Sequence, residues 1–487
     1  MEFDYRKSNL KLNIALNAFL KVSAFIFPLI TFPYVSRVIG ASGNGEIAFA
    51  ESVVSYFSIF AQLGIPTYGI KKCAEVREDK DKLSHIVYEL LIINSLTIVI
   101  SYICLFICVN QIPQLESIRY LICISSLSIF LNGIGVDWLF QALEQYKYIT
   151  IRNLSFKLLS VLLLFAFVHS SSDILTLELV NIVGGCGSNI LNFIYARQYL
   201  SPVKVESLKI RRHFKFIFSF FLLSVSVSVY TSLDSSMLGF LSTSDQVGYY
   251  AAGVKTKAIL TSAVSSVGAV LLPRMSACIS IKDFFTFNRL AKKSIKLVLL
   301  VAMPLSIYFS LMADPVILFL AGEGYAQAVP VTQILAFTVL FIGISNIFGM
   351  QILVPTNRER ITVISTLVGA LVDFIINAVL IPTYGSFGAA VGTFTAELSV
   401  LLVQLVALKG EIKNYLKDIQ LKPLLVSSTV SSLALFILGN VMSGFNPFVE
   451  LAVTFTAFIC IYFALLCLLK DQFVLTYLGR LKNRVSR

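Results

Sequence analysis

Four lysines, Lys21, Lys157, Lys255 and Lys257, stand inside long apolar runs of this sequence. At about 1.5 Å of rise per residue, each lies roughly 11–15 Å from the nearer end of its run if the run is helical, close to the middle of a bilayer. An ionisable group at that depth is costly and is a functional feature by default. Fixed cations in a low-dielectric cavity suit a polyanionic ligand, because the medium screens their attraction only weakly. Structural roles stay open beside this one: the lysines can pair with acids, or reach along their stems to the nearer face. Lys255 and Lys257 are two residues apart, so on a helix they point about 200° from each other and only one of them faces a cavity.

Two acids, Asp373 and Glu397, lie at similar depth in consecutive apolar runs, with Asn377 one turn from Asp373. A carboxylate there can take up and release a proton, and with Asn377 it makes a small polar site suited to H⁺ or Na⁺. Its alternative is a carboxylate held by a cavity lysine for stability. Glu51 and Glu178 fall nearer one end of their runs and have less claim. Arg37 sits in a Gly/Ser-rich link between the first two runs, where it either guides an anionic group outwards or caps the carbonyl end of the first helix. Asp137 is placed to bond Lys147 or Arg152, Trp138 reads as an interfacial anchor, and Asp234 is placed to neutralise Lys255. Among the 20 tyrosines, Tyr34, Tyr230, Tyr249 and Tyr250 are candidates to stack on a ligand ring.

The elements that must position these residues are membrane-spanning helices. A hydrophobic fraction of 57%, a mean hydropathy of +0.83 and 14% charged residues do not suit a soluble domain of 487 residues. Apolar runs recur near 12–33, 46–69, 86–109, 116–140, 149–169, 174–197, 214–237, 247–272, 295–320, 330–354, 361–382, 387–408, 423–443 and 447–469. That predicts about fourteen spans. The first run is long and leads straight into the second, which reads as a span and not as a cleavable signal peptide. Lys and Arg gather in alternate links and at both ends of the chain, with Arg37 and Arg119 as exceptions. By the positive-inside rule both termini are therefore expected in the cytoplasm. Topology accounts for the net charge of +12, so nucleic acid is not implied.

A faint internal echo divides the chain. Ser235-Ser236-Met237-Leu238-Gly239 answers Ser36-Arg37-Val38-Ile39-Gly40, and Val247-Gly248-Tyr249-Tyr250-Ala251 answers Asn44-Gly45-Glu46-Ile47-Ala48. Two halves of similar plan are a transporter signature. The expected organisation is an all-α polytopic membrane protein with two pseudo-symmetric six-helix lobes, 1–199 and 200–409, and a final helix pair with a basic tail, 410–487. Most of the eight cysteines fall inside predicted spans and no Cys-x-x-Cys occurs, so neither disulfides nor a metal site is expected. No phosphate-binding glycine loop, nucleophile elbow or nucleotide-binding domain is visible, which argues against an ATP-driven pump.

The stretches PLITFPYVSRVIGASGNGEIAFA, QLGIPTYGIKKCAEVRED, GVDWLFQALEQYKYITIRNLSFK, YTSLDSSMLGFLSTSDQVGYYAAGVK, LLPRMSA and LIPTYGSFGAAVGTFTAE carry a resemblance. Together they resemble the polysaccharide (O-antigen type) flippases of the multidrug/oligosaccharidyl-lipid/polysaccharide exporter superfamily, which is MATE-like in fold. The resemblance implies a V-shaped pair of six-helix lobes that alternates between inward- and outward-open states. It implies an undecaprenyl-pyrophosphate-linked oligosaccharide as cargo, a bacterial cytoplasmic membrane as location, no cofactor beyond a coupling H⁺ or Na⁺, and a polysaccharide polymerase and chain-length regulator as partners. The pyrophosphate would be the anion for Lys21, Lys157, Lys255, Lys257 or Arg37. A multidrug or small-cation antiporter of the same fold is the nearest rival, and should show a cavity dominated by carboxylates. A membrane-bound polymerase or ligase is the second, and should carry a large outer loop that is missing here.

Overall fold

The computed structural model describes residues 10–204, 208–269, 271–417 and 419–476; the side chains of 10–26, 223, 226–230, 267–269 and 272–273 lie outside the described set. In chain order the helices are α1 Leu10–Gln62, α2 Ile65–Val76, α3 Lys80–Gln111, α4 Pro113–Ser117, α5 Arg119–Ile134, α6 Asp137–Ala142, α7 Tyr146–Phe167, α8 Ile174–Ile182, α9 Asn189–Ala196 and α10 Phe214–Leu241. They continue with α11 Ser244–Ala269, α12 Leu272–Ser280, α13 Phe284–Leu311, α14 Ala313–Leu320, α15 Ala328–Asn346, α16 Glu359–Ala407, α17 Lys409–Leu416, α18 Leu421–Met442 and α19 Pro447–Leu468. No strand occurs among the described residues, where 10 stretches are long and apolar enough to cross a membrane. The chain is a multi-pass, all-helical membrane protein. It divides into two compact units, Met1–Gly248 and Tyr249–Arg487.

In the first unit, the continuous apolar pattern of α1 is broken at Gly40, whose φ of 79° and ψ of −179° lie outside the helical region. Glycine adopts a positive φ without steric cost, so the helix turns there into two limbs. Just before the break, Arg37 Nη1 donates to the Pro33 carbonyl at 2.6 Å and Ser36 Oγ to the Phe32 carbonyl at 2.7 Å. The two echoing stretches meet at this break. A Cβ on Gly45 would overlap the carbonyl oxygen of Ser244, and a Cβ on Gly248 would overlap that of Ala41. The contact is reciprocal: Ser244 stands to Ala41 in sequence as Gly248 stands to Gly45.

Elsewhere in this unit a core of Tyr68, Leu83, Leu90, Trp138, Phe140 and Tyr199 closes one end of the bundle. Trp138 is buried there, against the Cβ-free face of Gly69, and so is not the interfacial anchor that its position suggested. Asp137 bonds Arg152 Nη2 at 2.8 Å, one of its two expected partners. The basic link before α10 is pinned by Glu89, a buried carboxylate that accepts from the backbone N–H of Lys209 at 2.6 Å, from Arg212 Nη2 at 2.6 Å and from His213. Tyr68 completes the latch, its hydroxyl 2.8 Å from His213 Nδ1.

In the second unit α13, α15 and α16 pack around Ile295, Val298, Val339, Phe348, Ile352 and Leu401. α16 breaks at Gly385 (φ 53°, ψ −129°), three residues after Pro382. Its return limb carries Gly388 and Gly392, the small-xxx-small spacing that lets membrane helices approach closely. Gly388 lies against the Leu380 backbone, and Gly392 against Asn377 and Asp373. Just before α16, Arg358 makes a two-pronged bond to Glu411 of α17 at 2.7 and 3.1 Å, which holds that half-buried carboxyl below the usual range.

The pair α18 and α19 is locked onto this unit. Lys296 of α13 donates to the Gln420 carbonyl at 3.0 Å and pairs with Asp471 at 2.6 Å, while Asp471 Oδ1 accepts from the N–H groups of Phe473 and Val474. Both charged groups are buried. Removing one member of a buried ion pair leaves the other charge uncompensated and costs about 3–5 kcal/mol. Lys296→Met should therefore lower the melting temperature of the purified full chain sharply. The double variant Lys296→Met, Asp471→Asn should recover most of that loss, because the amide keeps the capping acceptor without the charge. A single variant that melts like the wild type would show that the pair is solvated.

Candidate functional site

Lys157 is the described cation of the first unit that stands deepest in a span. It is half-buried on α7, with Nζ 5.7 Å from the centre of the Phe27 ring. A cation is attracted to the electron-rich face of an aromatic ring. Lys255 is exposed and Lys257 half-buried on α11. The side chain of Lys21 lies outside the described residues, as does that of Tyr230. Arg37 is exposed at the end of the first limb of α1. Three of the candidate stacking tyrosines are described, and each is engaged in packing. Tyr34 donates to the Val168 carbonyl at 2.6 Å, Tyr249 stands edge-on to Tyr325, and Tyr250 bonds Thr393 at 2.8 Å.

The hairpin of α16 brings Asp373 and Asn377 together. Both are buried, and both crowd the face of Gly392: a Cβ placed there would come within 3.0 Å of Asp373 Oδ1 and closer still to Asn377 Oδ1. The next residue, Thr393, meets the Tyr250 hydroxyl. A carboxylate oxygen and an amide oxygen thus meet at one glycine. Glu397 is also buried, one turn beyond Thr393 on the same limb.

A further polar feature lies in the first unit. A cavity of 490 Å³ is walled by the second limb of α1, by α5, by α8 and by the π-helical turn Val183–Gly187 that follows it. Glu51, Ser55, Ser58 and Gln62 line it from α1, at spacings of four, three and four that mark one helical face. At its base Glu178 is 2% exposed and accepts from Ser125 Oγ at 2.7 Å and from Asn181 Nδ2 at 3.4 Å. Among the described residues, its lining contains neither a lysine nor an arginine.

Comparison with known proteins places the chain. The profile of the family described as "Polysaccharide biosynthesis protein" matches residues 10–278, more than half of its length. The chain belongs to that family. Among curated relatives of this polysaccharide biosynthesis protein, the Escherichia coli (strain K12) protein named "Putative O-antigen transporter" is 24% identical over 83% of this chain and 98% of its own length. The "Capsular polysaccharide biosynthesis protein CapF" of Staphylococcus aureus is 24% identical over 67% of this chain and 82% of its own. Among solved structures, "Lipid II flippase MurJ, inward closed conformation" superposes with a TM-score of 0.74 over 95% of this chain and 100% of that one, at 17% identity. That last likeness establishes the fold.

In this polysaccharide biosynthesis protein, the depth argument singled out Asp373, Asn377 and Glu397 from the apolar pattern alone. It passed over Glu51 and Glu178, because one glutamate per span near a predicted end is unremarkable in sequence. A signal was present in the four-three-four spacing of Glu51, Ser55, Ser58 and Gln62. Serines are common inside membrane helices, where they bond their own backbone, so a stripe of them stands out only once a second and third helix face it.

Proposed function

We propose that this protein is a flippase, not an enzyme, which turns undecaprenyl-pyrophosphate-linked oligosaccharide repeat units from the cytoplasmic to the outer leaflet of a bacterial cytoplasmic membrane by alternating access. One observation carries the reading: likeness to proteins named for O-antigen transport and capsule synthesis runs along most of the chain. In this reading Lys21, Lys157, Lys255, Lys257 and Arg37 are the cations available to the pyrophosphate, a polymerase and a chain-length regulator are its neighbours, and about fourteen spans cross the membrane. The glycine breaks within α1 and α16, each dividing a helix of 53 or 49 residues into two limbs, support that number, as do the 28 and 26 residues of α10 and α11. Division into lobes 1–199 and 200–409 with a final pair 410–487 belongs to the same proposal. The test is restoration of surface polysaccharide in a bacterial strain lacking its own flippase; correctly inserted protein that restores none would overturn the reading.

Both termini are proposed to be cytoplasmic. Reporter fusions at Arg487 should read as inside, and fusions near Gln111, Ser172, Ser242 and Ala326 as outside. Inside signals at two of these four positions would break the topology.

Ion coupling is proposed at Asp373, Asn377 and Glu397, supported by the convergence of buried oxygens at Gly392. Asp373→Asn or Glu397→Gln should lower export while leaving membrane insertion intact. Normal export by both variants when the proton and sodium gradients are weak would leave these acids a structural role. A second reading, a multidrug or small-cation antiporter, is favoured by one observation, the cavity of the first unit with Glu51 and Glu178 and no basic residue among its described lining.

A further inference from the structure

The cavity of the first unit is shaped for something larger than an ion. A sphere of 490 Å³ has a radius of about 5 Å, whereas hard cations ask for oxygens at about 2.0–2.6 Å on several sides. The volume instead falls within the range of small-molecule sites, about 300–1,000 Å³. Its walls are polar at a depth where polar side chains cannot face hydrocarbon. Glu51, Asn132 and Asn181 are exposed at its mouth, so the mouth opens onto water and not onto lipid. Carboxylates, amides and hydroxyls alternate around it, a set that both donates and accepts in many directions. The π-helical turn, a feature often found at functional sites, places Gly185 on the wall with nothing within 4 Å of where its Cβ would be.

We propose that this cavity is a saccharide subsite, which takes a neutral or amino sugar of the lipid-linked cargo and disfavours acidic sugars. The inference rests on the flippase reading and adds to it the class of sugar carried. Glu51 accepts from sugar hydroxyls, Asn132 and Asn181 supply donors, and the Glu51 carboxylate repels a uronic acid. Its described lining includes none of Lys157, Lys255 and Lys257, so the sugar and the pyrophosphate are read by different residues.

The experiment measures binding of three lipids to the purified full chain in lipid nanodiscs: undecaprenyl pyrophosphate, the same lipid bearing N-acetylglucosamine, and the same lipid bearing glucuronic acid. The wild type should bind the N-acetylglucosamine lipid at least tenfold more tightly than the bare lipid, and more tightly than the glucuronic acid lipid. Gly185→Leu, whose Cβ has nothing within 4 Å, should abolish that tenfold preference while the bare lipid binds as before. Glu51→Gln should narrow the gap between the neutral and acidic sugars. Equal binding of all three lipids by the wild type would overturn the inference and leave the flippase reading standing. Failure to bind any of them would instead overturn the flippase reading. A preference that survives Gly185→Leu, or sodium binding that Glu51→Gln removes without any sugar preference, would show that the cavity is not a saccharide site.

Discussion

Gly45→Ala and Gly248→Ala should each destabilise the first unit strongly, and by similar amounts. In both cases the added methyl would overlap a backbone carbonyl oxygen, of Ser244 in one and of Ala41 in the other. A flexible side chain could swing aside, but a carbonyl within a helix moves only with its helix. Overpacking of this kind costs about 1–3 kcal/mol where side chains give way, and a backbone neighbour puts these two at or above the upper end. At about 3 kcal/mol, a unit of this size would lose roughly 6–12 °C of melting temperature. Gly324→Ala is the control, since nothing lies within 4 Å of its Cβ position. Thermal unfolding of the purified chain reads all three. If Gly45→Ala or Gly248→Ala melts with the control, the helices are not in backbone contact.

Loss of a pyrophosphate-binding lysine should be the largest functional effect. Charge-assisted bonds to a buried anion are worth roughly 1.5–3 kcal/mol each, so removing the cation that grips the cargo should cut transport tenfold or more. Among Lys21→Ala, Lys157→Ala, Lys255→Ala and Lys257→Ala, at least one well-expressed variant should fail to restore surface polysaccharide. Arginine at the same position should retain part of the activity, because it keeps the charge while changing its geometry. Full activity in all four alanine variants would remove the cationic mechanism and return weight to the antiporter reading.

The apolar runs made the helices legible, since a bilayer admits few other ways to satisfy a backbone. The Gly/Ser-rich link at Arg37 and the gap between the runs 361–382 and 387–408 likewise marked the stretches where the breaks at Gly40 and Gly385 fall. Less legible were the pairings that depend on distant partners. Lys296 reads in sequence as one more basic residue near a span end, yet it is buried on Asp471, whose contribution comes after α19 has returned. Glu89 offers no local hint that a link more than a hundred residues away will close over it. Trp138 was misjudged for a related reason: the indole prefers interfaces on average, but Gly69 opens a slot for it that only the packed helices reveal.

The exchange of contacts between Gly45 with Ser244 and Gly248 with Ala41 has a genealogical reading. A contact in which the first partner of each half touches the second partner of the other is isologous, the arrangement a two-fold dimer of identical chains displays. A half-length ancestor pairing with itself would have needed a single glycine to make both approaches, and any change there would have struck twice. Fusion of two such copies separates the obligations. Each glycine now guards one carbonyl.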